Sequence, residues 1–134
     1  MKFKEYELEK LIDKLSSKSP TPGGGSIAAL TGTISAALSS MVMSLTKDDS
    51  LNEYQSELED LKEKGLNLID EDSDSFDKVM DAFKMPKDTD EEKNKRKKAI
   101  QKSLRGASLV PLETMRLGLN LMCIARDIIE KGNK

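Results

Sequence analysis

Between Lys18 and Lys47 the chain carries no charged residue, although charged residues make up 34% of the whole. That gap constrains the fold more than any other feature. Its residues follow the helical period. Ile27, Leu30, Ile34, Leu38, Met41 and Leu45 form one stripe, and the far face is Ala29, Gly32, Thr33, Ala36, Ser39 and Ser40. A helix without a charged face is buried on all sides or crosses a membrane. Nine Ser, Thr and Gly residues between Ser26 and Thr46 make the segment a poor lipid span. The spacing therefore predicts a central helix over 26–46. Its small residues let neighbouring backbones approach, either within the chain or from a subunit partner.

The remaining segments are also helical in pattern, and strand signals are nearly absent. Residues 3–17 read as a first amphipathic helix with Tyr6, Leu8, Leu11, Ile12 and Leu15 on its apolar side. The run Ser16-Ser-Lys-Ser-Pro-Thr-Pro-Gly-Gly-Gly is a loop by composition. A long helix follows over about 51–84 and ends at Met85-Pro86. Thr89-Asp90-Glu91-Glu92 has the form of a capping box, with Glu92 reaching back to the Thr89 amide. The helix it opens is expected to kink or break at Pro111, leaving a last helix over about 112–130 with a stop at Gly132. The fold class expected is all-α: one domain over 1–134, an antiparallel bundle of four to five helices around the small-residue helix.

Composition removes several kinds of chemistry. There is no histidine and one cysteine, Cys123. Ser-His and Cys-His nucleophile pairs, His-ligated zinc, multi-Cys metal sites and an internal disulfide framework are excluded within one chain. With 22 Lys+Arg against 24 Asp+Glu, the net charge of −2 argues against a phosphate-neutralising nucleic-acid binder. At 4% aromatic and no Trp, a base-stacking platform is equally unsuited. The opening Met1-Lys-Phe-Lys-Glu-Tyr has no apolar run behind its basic residues, so no secretory signal is read there. A free thiol fits a reducing compartment, and the expected location is cytoplasmic.

Three features could carry chemistry. The 51–84 helix holds Asp70, Asp72, Asp74 and Asp77. At ~100° per residue, Leu61, Gly65, Leu68, Phe76, Val79 and Phe83 fall within about 40° of Asp72. Asp72 thus lies in the apolar stripe, and the other three are expected to face solvent. A carboxyl group on a buried face must find partners or stay protonated, and such groups serve as acids or bases; a satisfied structural carboxylate fits the pattern too. The second feature is Pro20-Thr21-Pro22-Gly23-Gly24-Gly25-Ser26, opening directly into the charge-free helix. Its glycines permit close backbone approach and its amides attract an electron-rich group, although on the residues alone a tight loop capped by Ser26 is the plainer reading. No strand precedes it, so it is no dinucleotide fingerprint, and no Lys-Ser/Thr follows the glycines as in a P-loop. The third is Lys84-Met85-Pro86-Lys87, a basic pair that also suits a helix C-terminus. The run Lys93–Lys98 reads as a solvated face, and Met41, Met43, Met80, Met115 and Met122 as core fillers.

Four blocks occur in order: Pro20 to Ala29, Leu68-Ile-Asp-Glu-Asp-Ser-Asp-Ser-Phe, Lys84-Met-Pro-Lys-Asp-Thr-Asp-Glu-Glu-Lys, and Ala107-Ser-Leu-Val-Pro-Leu. Together they closely resemble the cyclodeaminase/cyclohydrolase family, which includes the C-terminal half of formiminotransferase-cyclodeaminase and free-standing methenyltetrahydrofolate cyclohydrolases. The resemblance covers essentially the whole chain. It implies an all-helical homodimer that takes a tetrahydrofolate derivative as substrate and requires neither metal nor covalent nucleophile. The reaction implied is hydrolysis of 5,10-methenyltetrahydrofolate to 10-formyltetrahydrofolate, or deamination of 5-formiminotetrahydrofolate to 5,10-methenyltetrahydrofolate.

The family's catalytic aspartate is the second of the Asp-x-Asp pair before the Phe, which corresponds to Asp72. Its folate-bordering loop corresponds to Pro22, Gly23, Gly24, Gly25 and Ser26. Lys84 and Lys87 fall in its Lys-x-Pro-Lys stretch and are assigned to ligand binding. Family members continue beyond Gly-Asn with an Asn-x-x-Ser-Asp segment and further long helices. The resemblance therefore implies a domain without the family's C-terminal helices. The alternative is a non-catalytic module: helical dimerisation, which the residues alone fit, or folate binding without turnover, which the resemblance implies.

Overall fold

The computed structural model describes residues 2–46 and 49–131. Four helices carry the fold: α1 (Leu8–Ser16), α2 (Gly24–Leu45), α3 (Glu53–Lys84) and α4 (Asp90–Lys131). Two 3-10 turns, Phe3–Glu5 and Asp49–Leu51, precede α1 and α3. α3 packs against both α2 and α4, and α2 also touches α4, giving a helical bundle. Contacts between α3 and α4 run in opposite chain order. Arg96 donates to the Phe83 carbonyl, Lys64 pairs with Glu113, and the Tyr54 hydroxyl donates to Asp127. The α2–α3 pair is antiparallel for the same reason: Ser26 meets Asp72 at one end, and Gln55 donates to Ser40 at the other. The core between them includes Leu58, Leu61, Leu68, Ile69, Leu117 and Leu121.

Small residues set the spacing, as the sequence predicted. Ala29 and Ala36 of α2 are fully buried and Thr33 nearly so. Opposite them Gly65 of α3 lies so close that an added Cβ would stand 2.2 Å from Thr33 Oγ1 and 3.4 Å from the Ala29 carbonyl oxygen. Gly32 does the same for α4, with Leu117 Cδ2 at 2.5 Å from a Cβ position. The large stripe of α2 points the other way. Ile34, Leu38, Met41 and Leu45 are all more than half exposed, so within this chain α2 is buried on its small face rather than all round. α2 is long and apolar enough to cross a membrane by length and composition; in this bundle Ala29, Ala36 and Met43 join it to the core.

Four further expectations are corrected. Residues 3–17 are not one helix: Tyr6 is extended (φ −74°, ψ 144°) between the first turn and α1. The cause is tertiary. The Phe3 amide donates to Asp70 Oδ1 at 2.7 Å, and Phe3 packs edge-on against Tyr6. Second, Asp70 does not face solvent. It is 6% exposed, because the N-terminal segment lies over that side of α3. Third, α4 runs unbroken through Pro111 for 42 residues. A proline removes one amide donor, while the packing of Leu117, Leu121, Ile124 and Ile128 holds the helix beyond it. Fourth, Met115 and Met122 are 65% exposed, Met41 53% and Met80 38%, so these four are not core fillers, whereas Met43 is. The expected stop at Gly132 lies outside the described residues.

The capping box is present. Glu92 Oε2 accepts from the amides of Thr89 and Asp88, each at 3.0 Å, and Thr89 Oγ1 accepts from the Glu92 amide. The Thr89 amide bond foremost, then that from Asp88, holds the Glu92 carboxyl below its ordinary pKa. A depressed acid stabilises the fold above its unfolded pKa, and that contribution is lost as pH falls through the folded value. Acidification below the ordinary carboxylate range is therefore expected to lower Tm more steeply in the wild type than in Glu92→Gln. Melting curves by circular dichroism check this, and parallel slopes would refute it.

Candidate active site

Asp72 projects from the middle of α3 to the first turn of α2. Gly23 is the N-cap of α2, so Gly24, Gly25 and Ser26 form its opening turn, whose amides have no partner inside the helix. The Ser26 amide donates to Asp72 Oδ2 at 2.8 Å, and Ser26 Oγ lies 3.0 Å from the same oxygen. Asp72 thus caps α2 from another helix. Ser26 is fully buried, and its hydroxyl also reaches the Ile69 carbonyl at 2.9 Å and Ser73 Oγ at 3.2 Å. One hydroxyl has one proton, so these acceptors share it, with Ser73 able to donate in return. This small network fixes the Oδ2 side of Asp72.

The second oxygen is different. Oδ1 accepts no hydrogen bond from the described residues. Asp72 is half-buried and lines a hollow of about 310 Å³ with Pro20, Thr21, Gly23, Gly24, Phe76 and Ala107. Gly25 explains how the carboxyl group fits. A Cβ at position 25 would stand 2.1 Å from Oδ1 and 2.6 Å from Cγ. Only a residue without a side chain leaves room for a carboxylate against the helix start. The result is a carboxyl group at the edge of a glycine-lined hollow, with one oxygen pinned by Ser26 and the other beside Gly25 without a hydrogen-bond donor among the described residues. That arrangement suits proton transfer to a bound molecule.

The remaining candidates divide. Pro22 is buried in the turn before Gly23 and follows a cis peptide bond. Lys84 and Lys87 are exposed at the end of α3, and neither lines the hollow; Lys84 pairs with Asp81 at 3.2 Å. A groove of about 810 Å³ between α3 and α4 adjoins the hollow, since Ser75 and Ala107 line both. Its cations are Lys78 and Lys102. Two of its acids are already paired, Asp74 with Lys2 and Asp81 with Lys84. Sequence reading passed over these lysines because no motif marks them. The helical spacing from Ser75 to Lys78, one turn on, was the available signal.

The fold and the site define a helical bundle whose central carboxyl group is clamped at a glycine-opened helix. Comparison with known proteins gives this arrangement a family. The sequence model of formiminotransferase-cyclodeaminase matches residues 7–134, and the chain belongs to that family. It is 39% identical to a methenyltetrahydrofolate cyclohydrolase of Methylorubrum extorquens, over 94% of this chain and 64% of that protein. It is 32% identical to the formimidoyltransferase-cyclodeaminase of Sus scrofa, over 94% of this chain and 25% of that protein. The crystal structure of formiminotetrahydrofolate cyclodeaminase from Thermotoga maritima superposes with a TM-score of 0.76 at 27% identity, covering 96% of this chain and 64% of that one. The chain therefore spans about two thirds or less of the length of these relatives.

Proposed function

We propose that the chain is a folate-dependent one-carbon enzyme, with Asp72 as its general acid and base. It hydrolyses 5,10-methenyltetrahydrofolate to 10-formyltetrahydrofolate, deaminates 5-formiminotetrahydrofolate to the methenyl form, or does both. The observation that carries this reading is the unequal treatment of the two oxygens of Asp72, a residue that lines the hollow: Oδ2 is held by Ser26, and Oδ1, beside Gly25, accepts no hydrogen bond from the described residues. The names of the relatives supply the substrate class.

Both reactions need one proton acceptor that later becomes a donor. In hydrolysis, water adds to the carbon bridging N5 and N10, and Asp72 takes its proton. The bond from that carbon to N5 then breaks: Asp72 passes its proton to N5, the adduct's hydroxyl releases its proton to solvent as the C=O forms, and the formyl group stays on N10. In deamination, the formimino nitrogen enters protonated, as a basic amidine does near neutral pH; N10 attacks the formimino carbon and loses its proton to Asp72, which returns it to that nitrogen as ammonia departs. The carboxyl group ends each cycle as it began. The turn Pro22–Ser26 borders the pterin in this reading. Lys78 and Lys102, with Lys84 and Lys87 further along, offer positive charge to the carboxylates of the glutamate tail.

The protein is further proposed to act as a cytoplasmic homodimer. The exposed Ile34, Leu38, Met41 and Leu45 form a charge-free strip that a second copy presents in turn. The exposed thiol of Cys123 suits a reducing compartment. Sedimentation should give twice the chain mass.

Spectrophotometric assay with both folates, beside melting curves with 5-formyltetrahydrofolate, tests the function. Turnover of one substrate is expected, together with a raised Tm, since a ligand that binds only the folded form stabilises it. A raised Tm without turnover would leave a folate-binding module. An unchanged Tm without turnover would leave a helical dimerisation module.

A further inference from the structure

We propose that the backbone carbonyl of Ala107, deprived of its helical donor by Pro111, accepts a hydrogen bond from an N–H group of the tetrahydropterin in the Asp72 hollow. The proposal deepens the folate reading and rests on it. Pro111 lies inside α4 and has no amide hydrogen. The helical acceptor it fails to serve is the carbonyl four residues earlier, that of Ala107. Ala107 is half-buried and lines both the Asp72 hollow and the adjoining groove. The regular i-to-i+4 donor for this carbonyl is missing, which leaves it open to an N–H group from outside the helix.

Pro111 itself is exposed and is not among the residues lining the hollow. What it changes at the site is therefore the state of Ala107. A proline in the interior of a long helix is destabilising, and breaks of local rules concentrate where function requires them. The reduced pterin ring offers N–H donors at N3, N8 and the 2-amino group. Asp72 comes to the hollow from α3, Ala107 from α4 and Gly23 and Gly24 from the turn before α2. A fixed acceptor on α4 would set the ring's orientation, so that the one-carbon bridge falls beside Asp72 Oδ1.

Pro111→Ala tests this, because it restores the amide. The new hydrogen bond takes up the carbonyl and leaves it unavailable to the ring. The expected result is a protein with a higher Tm, a KM raised ~10-fold and a kcat changed much less. A proline that served only to shape or stabilise the helix would not give a sturdier protein that binds less well. Substrate analogues sharpen the test: the 2-desamino, 3-deaza and 8-deaza folates each lack one ring donor. For one of them, the KM difference between wild type and Pro111→Ala should vanish. An unchanged KM, a lowered Tm, or a KM difference that persists with all three analogues overturns the proposal. These failures leave the folate reading intact, whereas a wild type that neither turns over nor binds folate removes both.

Discussion

Asp72→Asn is expected to reduce turnover by ~10²–10⁴-fold while leaving the bundle folded. The amide has nearly the shape of the carboxyl group. Its oxygen still accepts from the Ser26 amide and hydroxyl, now at 2.8 and 3.0 Å from Oδ2, so the cap on α2 survives. What disappears is the capacity to take a proton and return it. Gly25→Ala acts on the same group by displacement. Its Cβ would overlap Oδ1 and Cγ, at 2.1 and 2.6 Å, and push the carboxyl group off Ser26. A misplacement of about 1 Å costs on the order of 10²-fold, so this variant should fall short of Asp72→Asn. Rates with the methenyl and formimino substrates, beside circular dichroism of each variant, check both. Full activity in Asp72→Asn would refute the acid and base role.

The parts of this site that were legible in the sequence were those fixed by short-range geometry. The helical wheel singled out Asp72 because its neighbours at four, seven and eleven residues are apolar or glycine. The triple glycine singled out the turn because no side chain is compatible with the approach now seen at Gly25. The wheel failed at Asp70 for a physical reason. It treats the far side of a helix as water, and here the Phe3 segment covers that side and spends its amide on the carboxylate. The same blindness joined residues 3–17 into one helix, since no local rule records a hydrogen bond to a residue 67 positions away. Pro111 misled in the opposite direction, because packing beyond it outweighs the loss of one donor. The direction of α2 was legible in part. Its small face was identified as the surface for close neighbours, but the exposure of Ile34 and Leu38 depends on where α3 and α4 lie. Lys84 and Lys87 stand apart from the hollow, while Lys78 and Lys102 enter its neighbouring groove, because only packing decides which turn of α3 faces α4.

The largest stability effect is expected at Gly65. Gly65→Val should destabilise the protein by about 3 kcal/mol, the upper part of the range for overfilling a packed core. That lowers Tm by ~10 °C in a chain of this size. The Cβ alone would stand 2.2 Å from Thr33 Oγ1 and 3.3 Å from Thr33 Cβ, before either methyl is placed. Thr33 cannot turn aside freely, because its hydroxyl donates to the Ala29 carbonyl at 2.9 Å and its side chain is buried. Relief therefore requires α2 and α3 to separate, which also pulls Ser26 from Asp72. A second substitution isolates the contact. Thr33→Ala removes the oxygen nearest the new Cβ, and in the double variant it should recover part of the lost Tm, a favourable coupling between two sites that face each other. Gly118→Ala supplies the opposite sign. That glycine lies inside α4 with no atom within 4 Å of its Cβ position, so alanine should stabilise by up to about 1 kcal/mol through helix propensity alone. If Gly65→Val melted at the wild-type temperature, or Gly118→Ala lost as much as Gly65→Val, close approach of α2 and α3 would not be what positions the carboxyl group.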